Sequence, residues 1–231
     1  MTRVVFILFP QVTQLDFTGP AQILSRLPGA EVSYAALTRD PVATDSGFAV
    51  LPTHDFGECP RADVLCVPGG HGVAPALGSA ATIAFIARQA ETAKWITSVC
   101  TGAFLLGAAG LLAGKRATTH WAYHHLLPLV GVDPVTARVV EDGRTITAGG
   151  VTSGIDFALT LIAREAGEAA ARALQLSLEY DPAPPFDGGH PDRAPAGVTA
   201  ALKERTYDAA AARMGEALSA LDERHCKPPP R

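Results

Sequence analysis

The sequence predicts an α/β fold, on three observations. Val4–Phe9 and Asp63–Pro68 are unbroken apolar runs rich in β-branched residues, as in strands covered on both faces. Between such runs lie segments with helical spacing, such as Ser79–Thr92 with Ile83, Phe85, Ile86 and Ala90. Most tellingly, Trp95-Ile96-Thr97-Ser98-Val99-Cys100-Thr101-Gly102-Ala103-Phe104-Leu105-Leu106 starts as a buried strand and ends as an Ala/Leu/Gly helix, with Cys100 at the change. A residue there sits on a sharp turn above the sheet edge, facing the first amides of the helix. Those amides favour an anion, so a lowered thiol pKa is expected. Serine hydrolases use the same elbow with oxygen in place of sulfur. A buried structural cysteine is the alternative, but packing alone would accept any small residue.

Strand one, Val4–Phe9, leads through a turn to a helix opening at Leu15-Asp16-Phe17-Thr18-Gly19-Pro20 and running to about Arg26. Asp16 therefore lies beyond the C-terminal end of a strand, the edge where open α/β sheets bind ligands. A helix-capping acid is its plainer reading. Glu31–Leu37 reads as strand two. Val42–Asp45 and Phe48–Leu51 read as a hairpin through Ser46-Gly47. Asp63–Pro68 runs into Gly69-Gly70-His71-Gly72, where backbone N–H groups can approach a ligand closely. No Gly-Lys-Ser/Thr follows, so a nucleotide phosphate loop is not indicated.

After the Cys100 helix, Gly110–Arg116 is a turn, and Ala117-Thr118-Thr119-His120-Trp121 opens a short helix to about Leu127. His120 and His124 have a zinc-compatible spacing, but Trp121 stands where a zinc protease needs Glu, and no acidic third ligand is near. No metal is expected, and His124 and His125 read as surface residues. Pro134–Glu141 and Arg144–Thr147 read as a β pair around Asp142-Gly143. Ala148-Gly149-Gly150-Val151-Thr152-Ser153-Gly154 is a second glycine-rich strand-to-helix turn. Its helix, to about Arg164, is expected to be well capped and to pack beside the Cys100 helix. Glu168–Glu179 is another helix. Tyr180–Pro195 is a Pro/Gly/Asp-rich loop, in which His190-Pro191-Asp192 reads as turn chemistry. Ala200–Cys226 is a terminal helix, and Lys227–Arg231 a Pro-rich frayed end.

At 231 residues, nearly half of them hydrophobic, the chain suits one large α/β domain or one domain with an appendage. A net charge of −4 without a basic block gives no sign of nucleic-acid binding. The longest apolar stretches, such as Ala103–Ala113, are too short to span a bilayer. The N-terminus shows no signal-peptide cleavage site. Cys59, Cys66, Cys100 and Cys226 lack C-x-x-C spacing, and a reducing cytoplasm is expected.

Five motifs occur in a fixed order: Asp16-Phe17-Thr18-Gly19-Pro20, Val67-Pro68-Gly69-Gly70, Ser98-Val99-Cys100-Thr101-Gly102, Ala117-Thr118-Thr119-His120-Trp121, and Gly149-Gly150-Val151-Thr152-Ser153-Gly154-Ile155-Asp156. From Arg3 to Asp192 the chain resembles the ThiJ/PfpI superfamily, which has the class I glutamine amidotransferase-like fold. Among its branches the isocyanide hydratases are the most similar, also through Leu178-Glu179-Tyr180-Asp181-Pro182-Ala183-Pro184-Pro185-Phe186. The resemblance implies a Rossmann-like (flavodoxin-like) parallel sheet between helices over residues 1–192, with 193–231 a helical extension of the same domain. It implies Cys100 as nucleophile, Asp16 as its acidic partner and Thr101 beside them. Gly69, Gly70, Thr119, His120 and Val151 would line the substrate, a small isocyanide. It implies a homodimer and no cofactor. Thr101 follows the cysteine where protease-like and amidotransferase branches supply His, which argues against peptide or glutamine hydrolysis.

The chemistry expected of such a site is hydration of R–N≡C to an N-substituted formamide through a Cys100 thioimidate. Asp16 would act as acid and then base, with backbone N–H groups of Gly70 and Thr101 steadying developing charge. The alternative is a ligand- or redox-sensing module with an oxidisable Cys100. Related regulators carry a helix-turn-helix domain after this half. Here the residues after Pro191 predict one helix that is not strongly basic. Glyoxalase-like chemistry would be expected to recruit a His near the cysteine.

Overall fold

A computed structural model describes residues 1–225, with side chains to 221; Cys226 and the Lys227–Arg231 tail lie outside the described residues. The elements run β1 (Thr2–Ile7), α1 (Gln14–Leu24), β2 (Ala30–Ala36), β3 (Val42–Ala43), β4 (Ala49–Val50), β5 (His54–Asp55), β6 (Val64–Val67), α2 (Val73–Leu77), α3 (Ala80–Ala90), β7 (Trp95–Val99) and α4 (Gly102–Ala108). There follow β8 (Arg116–Ala117), a 3₁₀ helix (Trp121–Val130), β9 (Asp133–Pro134), β10 (Val139–Asp142), β11 (Thr145–Ala148), α5 (Ser153–Ala166), α6 (Glu168–Ser177) and α7 (Ala196–Leu202). A π-turn (Lys203–Tyr207) then leads into α8 (Asp208–His225).

The main sheet has the order β10-β11-β7-β6-β1-β2-β5. All its pairings are parallel except β10 with β11. Its central strands are apolar on both faces because helices cover both: Val4, Val5, Phe6 and Ile7 of β1 and all four residues of β6 are buried. This is the α/β sheet expected from the unbroken apolar runs. β1, β6, β7 and β11 lie side by side and parallel, so the turns after them open at one sheet edge. That places the Asp16, Gly69-Gly70, Cys100 and Gly149-Gly150 segments together.

Five expectations are corrected. α5 packs on α1, whereas α4 lies with α2, α3 and the 3₁₀ helix. Gly19 and Gly154 allow that approach: a β-carbon on Gly19 would stand 3.2 Å from Ile155, and one on Gly154 would stand 3.2 Å from Pro20. Nor does the start of α5 carry a side-chain cap. Residues 134–138 are not part of a long strand; Asp133–Pro134 pairs with Arg116–Ala117 instead, leaving β10 only Val139–Asp142. The helix after His120 is 3₁₀, with Pro128 inside it removing a backbone donor and Gly131 at φ 71° ending it. The terminal helix is two helices joined by the π-turn, and α2 and β5 are additional short elements. No described helix is long and apolar enough to cross a membrane.

Candidate active site

Cys100 stands between β7 and α4 with φ +55°, one of three non-glycine residues in the left-handed region among the described residues. That conformation is strained for a residue with a β-carbon, and the surrounding hydrogen bonds hold it. Its N–H donates to the carbonyls of Gly149 (2.8 Å) and Ala148 (3.1 Å). Its own carbonyl accepts from the Thr119 hydroxyl at 2.7 Å. The Asp16 carboxyl and the Thr101 amide and hydroxyl lie beside the sulfur and act on its titration. The sequence places Cys100 on an elbow; the second glycine-rich turn fixes that elbow from the side.

Asp16 lies in the first turn of α1 and is 1% exposed. Its Oδ2 accepts from the Gly69 N–H at 2.9 Å. Its Oδ1 is buried and has no hydrogen-bond partner among the described residues. Burial raises its pKa to about 7, against the lowering effects of the Gly69 amide and then the Cys100 thiol. Gly69 is the hinge of this arrangement. A β-carbon there would lie 2.6 Å from the Thr101 nitrogen, 2.7 Å from its hydroxyl and 2.9 Å from Asp16 Oδ2. The Gly70 N–H donates to the Thr101 hydroxyl at 3.0 Å, so it is already engaged and is not the free anion donor expected of it.

The expected lowering of the Cys100 pKa is also corrected. Burial pushes the thiol well above its usual value, and the charge of Asp16 pushes it further; the Thr101 amide and hydroxyl act the other way without winning. Two anions cannot share this dry spot, so Asp16 and Cys100 titrate as a pair. Below about pH 7 the pair holds two protons, and above it one.

Thr119, His120 and Val151 line a cavity of about 840 Å³, together with Trp121, Gly149 and Gly150 and, at one wall, Gly189–Arg193. Cys100, Asp16, Gly69 and Gly70 are not part of that lining. His120 is buried and lowered to about 4 by burial, so it is neutral near pH 7. Its Nδ1 accepts from the Ala122 N–H at 3.3 Å, which assigns the proton to Nε2. His124 is half-buried rather than a surface residue, and its Nε2 has no partner. His190 and Asp192 do pair, at 3.3 Å, but as neighbours in an exposed turn. A more apolar cavity of about 760 Å³, bordered by Leu77, Ile83 and Leu218, contains none of the predicted site residues. Among the described residues no cluster of three metal-ligating side chains occurs.

Sequence reasoning missed two residues. They are Tyr123 and Tyr207, whose rings pack against His120 with centroids 5.9 Å and 5.1 Å away. Tyr123 follows the flagged His120 closely and was within reach of the sequence reading. Tyr207 belongs to the terminal helix, and no local pattern announces the π-turn that carries it.

Gly102, the first residue of α4, supplies a direct test of the elbow. A β-carbon there would meet the Val67 carbonyl at 2.1 Å and the Pro68 carbonyl at 2.7 Å. Backbone cannot retreat as a side-chain tip does. Gly102→Ala is expected to destabilise the fold by about 2–3 kcal/mol or more, read as a lowered thermal midpoint.

Residues 2–164 match the model of the DJ-1/PfpI family. The chain is 54% identical over 200 residues to an isonitrile hydratase from Pseudomonas putida, covering 87% of this chain and 88% of that protein. Its fold superposes with a TM-score of 0.91 on the crystal structure of a THiJ/PfpI family protein from Pseudomonas syringae, at 40% identity, covering 94% of this chain and 90% of that one. It is also 27% identical over 180 residues to the HTH-type transcriptional regulator GbdR of Pseudomonas aeruginosa. That match covers 75% of this chain but 48% of the regulator.

Proposed function

The chain belongs to the DJ-1/PfpI family, and we propose that within it the protein is an isocyanide hydratase, converting R–N≡C and water to R–NH–CHO. The observation that carries this reading is the Asp16 carboxyl buried beside the Cys100 thiol at one sheet edge, its Oδ2 held by the Gly69 N–H and its Oδ1 left without a hydrogen-bond partner. The carbon of an isocyanide accepts a nucleophile and a proton at the same atom. A carboxyl buried beside a thiol offers both from one place. The near relative with the isonitrile hydratase name supports the same substrate class.

The proposed path runs as follows. Asp16 takes the thiol proton as sulfur attacks the terminal carbon, forming the C–S bond. The carbon lone pair then receives that proton from Asp16, giving the thioimidate S–CH=N–R. Water adds to the same carbon with Asp16 as base, and the C=N pair moves to nitrogen, which is protonated. The tetrahedral carbon loses its hydroxyl proton and expels sulfur, releasing the formamide and restoring the thiol. Thr101 holds the sulfur and orients it through its amide and hydroxyl. Gly69 holds the carboxyl. The protein's chemistry is complete with these groups, and we place it in the cytoplasm as a homodimer acting on a small molecule.

A redox-sensing role for Cys100 is not favoured by any feature of the site. Cys100 is buried and its thiol is raised, both of which slow attack by peroxide. The test of the hydratase reading is direct. The purified protein is expected to convert p-tolyl or cyclohexyl isocyanide to the formamide, followed by absorbance and chromatography. Absence of turnover with a spread of alkyl and aryl isocyanides would reject it.

A further inference from the structure

Between α7 and α8 the helix widens into the π-turn Lys203–Tyr207. Such a turn inserts one residue and re-aims a side chain, and it recurs at functional sites. Here it re-aims Tyr207. From Leu202 to Ala209 every other residue is exposed, and Tyr207 alone turns inward. Its ring lies 5.1 Å from His120, 5.3 Å from Trp121 and 6.1 Å from Tyr123, edge-on to the last two. His120 directly follows Thr119, whose hydroxyl holds the Cys100 carbonyl.

The donors around Cys100 are otherwise committed. The Gly69 N–H is given to Asp16, the Gly70 N–H to Thr101 and the Thr119 hydroxyl to the Cys100 carbonyl. The phenol hydroxyls of Tyr123 and Tyr207 make no hydrogen bond among the described residues. Burial first, and then Cys100, raises both phenols, so both stay protonated at neutral pH.

Resting on the hydratase reading, we propose that the Tyr207 and Tyr123 hydroxyls donate hydrogen bonds to the substrate nitrogen as water adds to the thioimidate. Sulfur and Asp16 occupy the carbon end of the substrate. When water attacks, the C=N electron pair moves onto nitrogen, and a donor aimed there steadies it without giving up its own proton. The proton that nitrogen keeps comes from the added water through Asp16. Tyr207 is supplied by the segment beyond residue 164, where the family match ends. The C-terminal extension is thereby part of the reacting site.

Single-turnover measurement with p-tolyl isocyanide tests this, following the Cys100 adduct by intact mass and the formamide by chromatography. In Tyr207→Phe and Tyr123→Phe the ring packing stays. Adduct formation is expected to remain within about twofold of the wild type, while its decay slows roughly tenfold, so the adduct accumulates. Unchanged decay in both variants overturns the proposal. So does slow decay in Tyr207→Leu alone, which would assign the effect to the ring. A wild-type protein forming neither adduct nor formamide is a different result: it removes the hydratase reading, and this proposal with it.

Discussion

Cys100→Ala is expected to reduce isocyanide turnover by roughly 10⁴-fold or more and to form no covalent adduct, while the fold persists. The argument separates the sulfur from its setting. Alanine keeps the β-carbon, and so the left-handed strain at φ +55°. It also keeps the hydrogen bonds that hold the backbone, from Cys100 N–H to Gly149 and from Thr119 to the Cys100 carbonyl. The thermal midpoint should therefore move little. Cys100→Ser is the sharper comparison. It restores a group able to accept from the Thr101 amide, but a hydroxyl is far too weak an acid for a carboxylate with a pKa near 7 to deprotonate. Its turnover should be as low as that of the alanine variant. If the serine or alanine variant keeps a tenth of wild-type activity, the thioimidate path is wrong.

The sequence made legible whatever depends on local pattern. Apolar runs declare β1 and β6 because a strand buried on both faces has no polar side to alternate with. The Cys100 elbow shows because strand and helix preferences meet at one residue. Asp16 is legible as a candidate because it follows a strand, but its contact with Cys100 depends on α1 and β7 being brought together across β1 and β6. What escaped is set by tertiary contact. The direction of the Cys100 shift was misread because helix amides can be inferred from sequence and burial cannot. The seven residues of α4 give a short helix, and desolvation overrides its amides. The Gly70 amide was counted as free because its partner, the Thr101 hydroxyl, lies on another element. The packing of α5 on α1 turns on which sheet face a crossover helix takes, which local composition does not encode. Tyr207 depends on one inserted residue in an otherwise regular helix.

Asp16→Asn is expected to lower kcat/KM roughly 10²- to 10⁴-fold and, at the same time, to stabilise the protein at pH 8. Both effects follow from the same burial. Folding raises the carboxyl from an ordinary value near 4 to about 7. The folded state then holds a proton that the unfolded state has released, so the unfolded chain binds fewer protons across that interval. Stability is fully present below about pH 4, falls as pH rises through the window to about 7, and is flat beyond it. Asparagine cannot ionise, and its oxygen can still accept from the Gly69 N–H. It should remove the penalty, on the order of 4 kcal/mol at pH 8, and flatten the stability profile between pH 4 and 7. The rate profile carries the complementary signature. Attack on carbon needs the pair with one proton, so wild-type kcat/KM should rise through about pH 7, and the residual activity of the asparagine variant should lack that limb. A variant that loses activity yet keeps a stability slope between pH 4 and 7 would assign the slope to other groups and remove Asp16 as the group that titrates near pH 7.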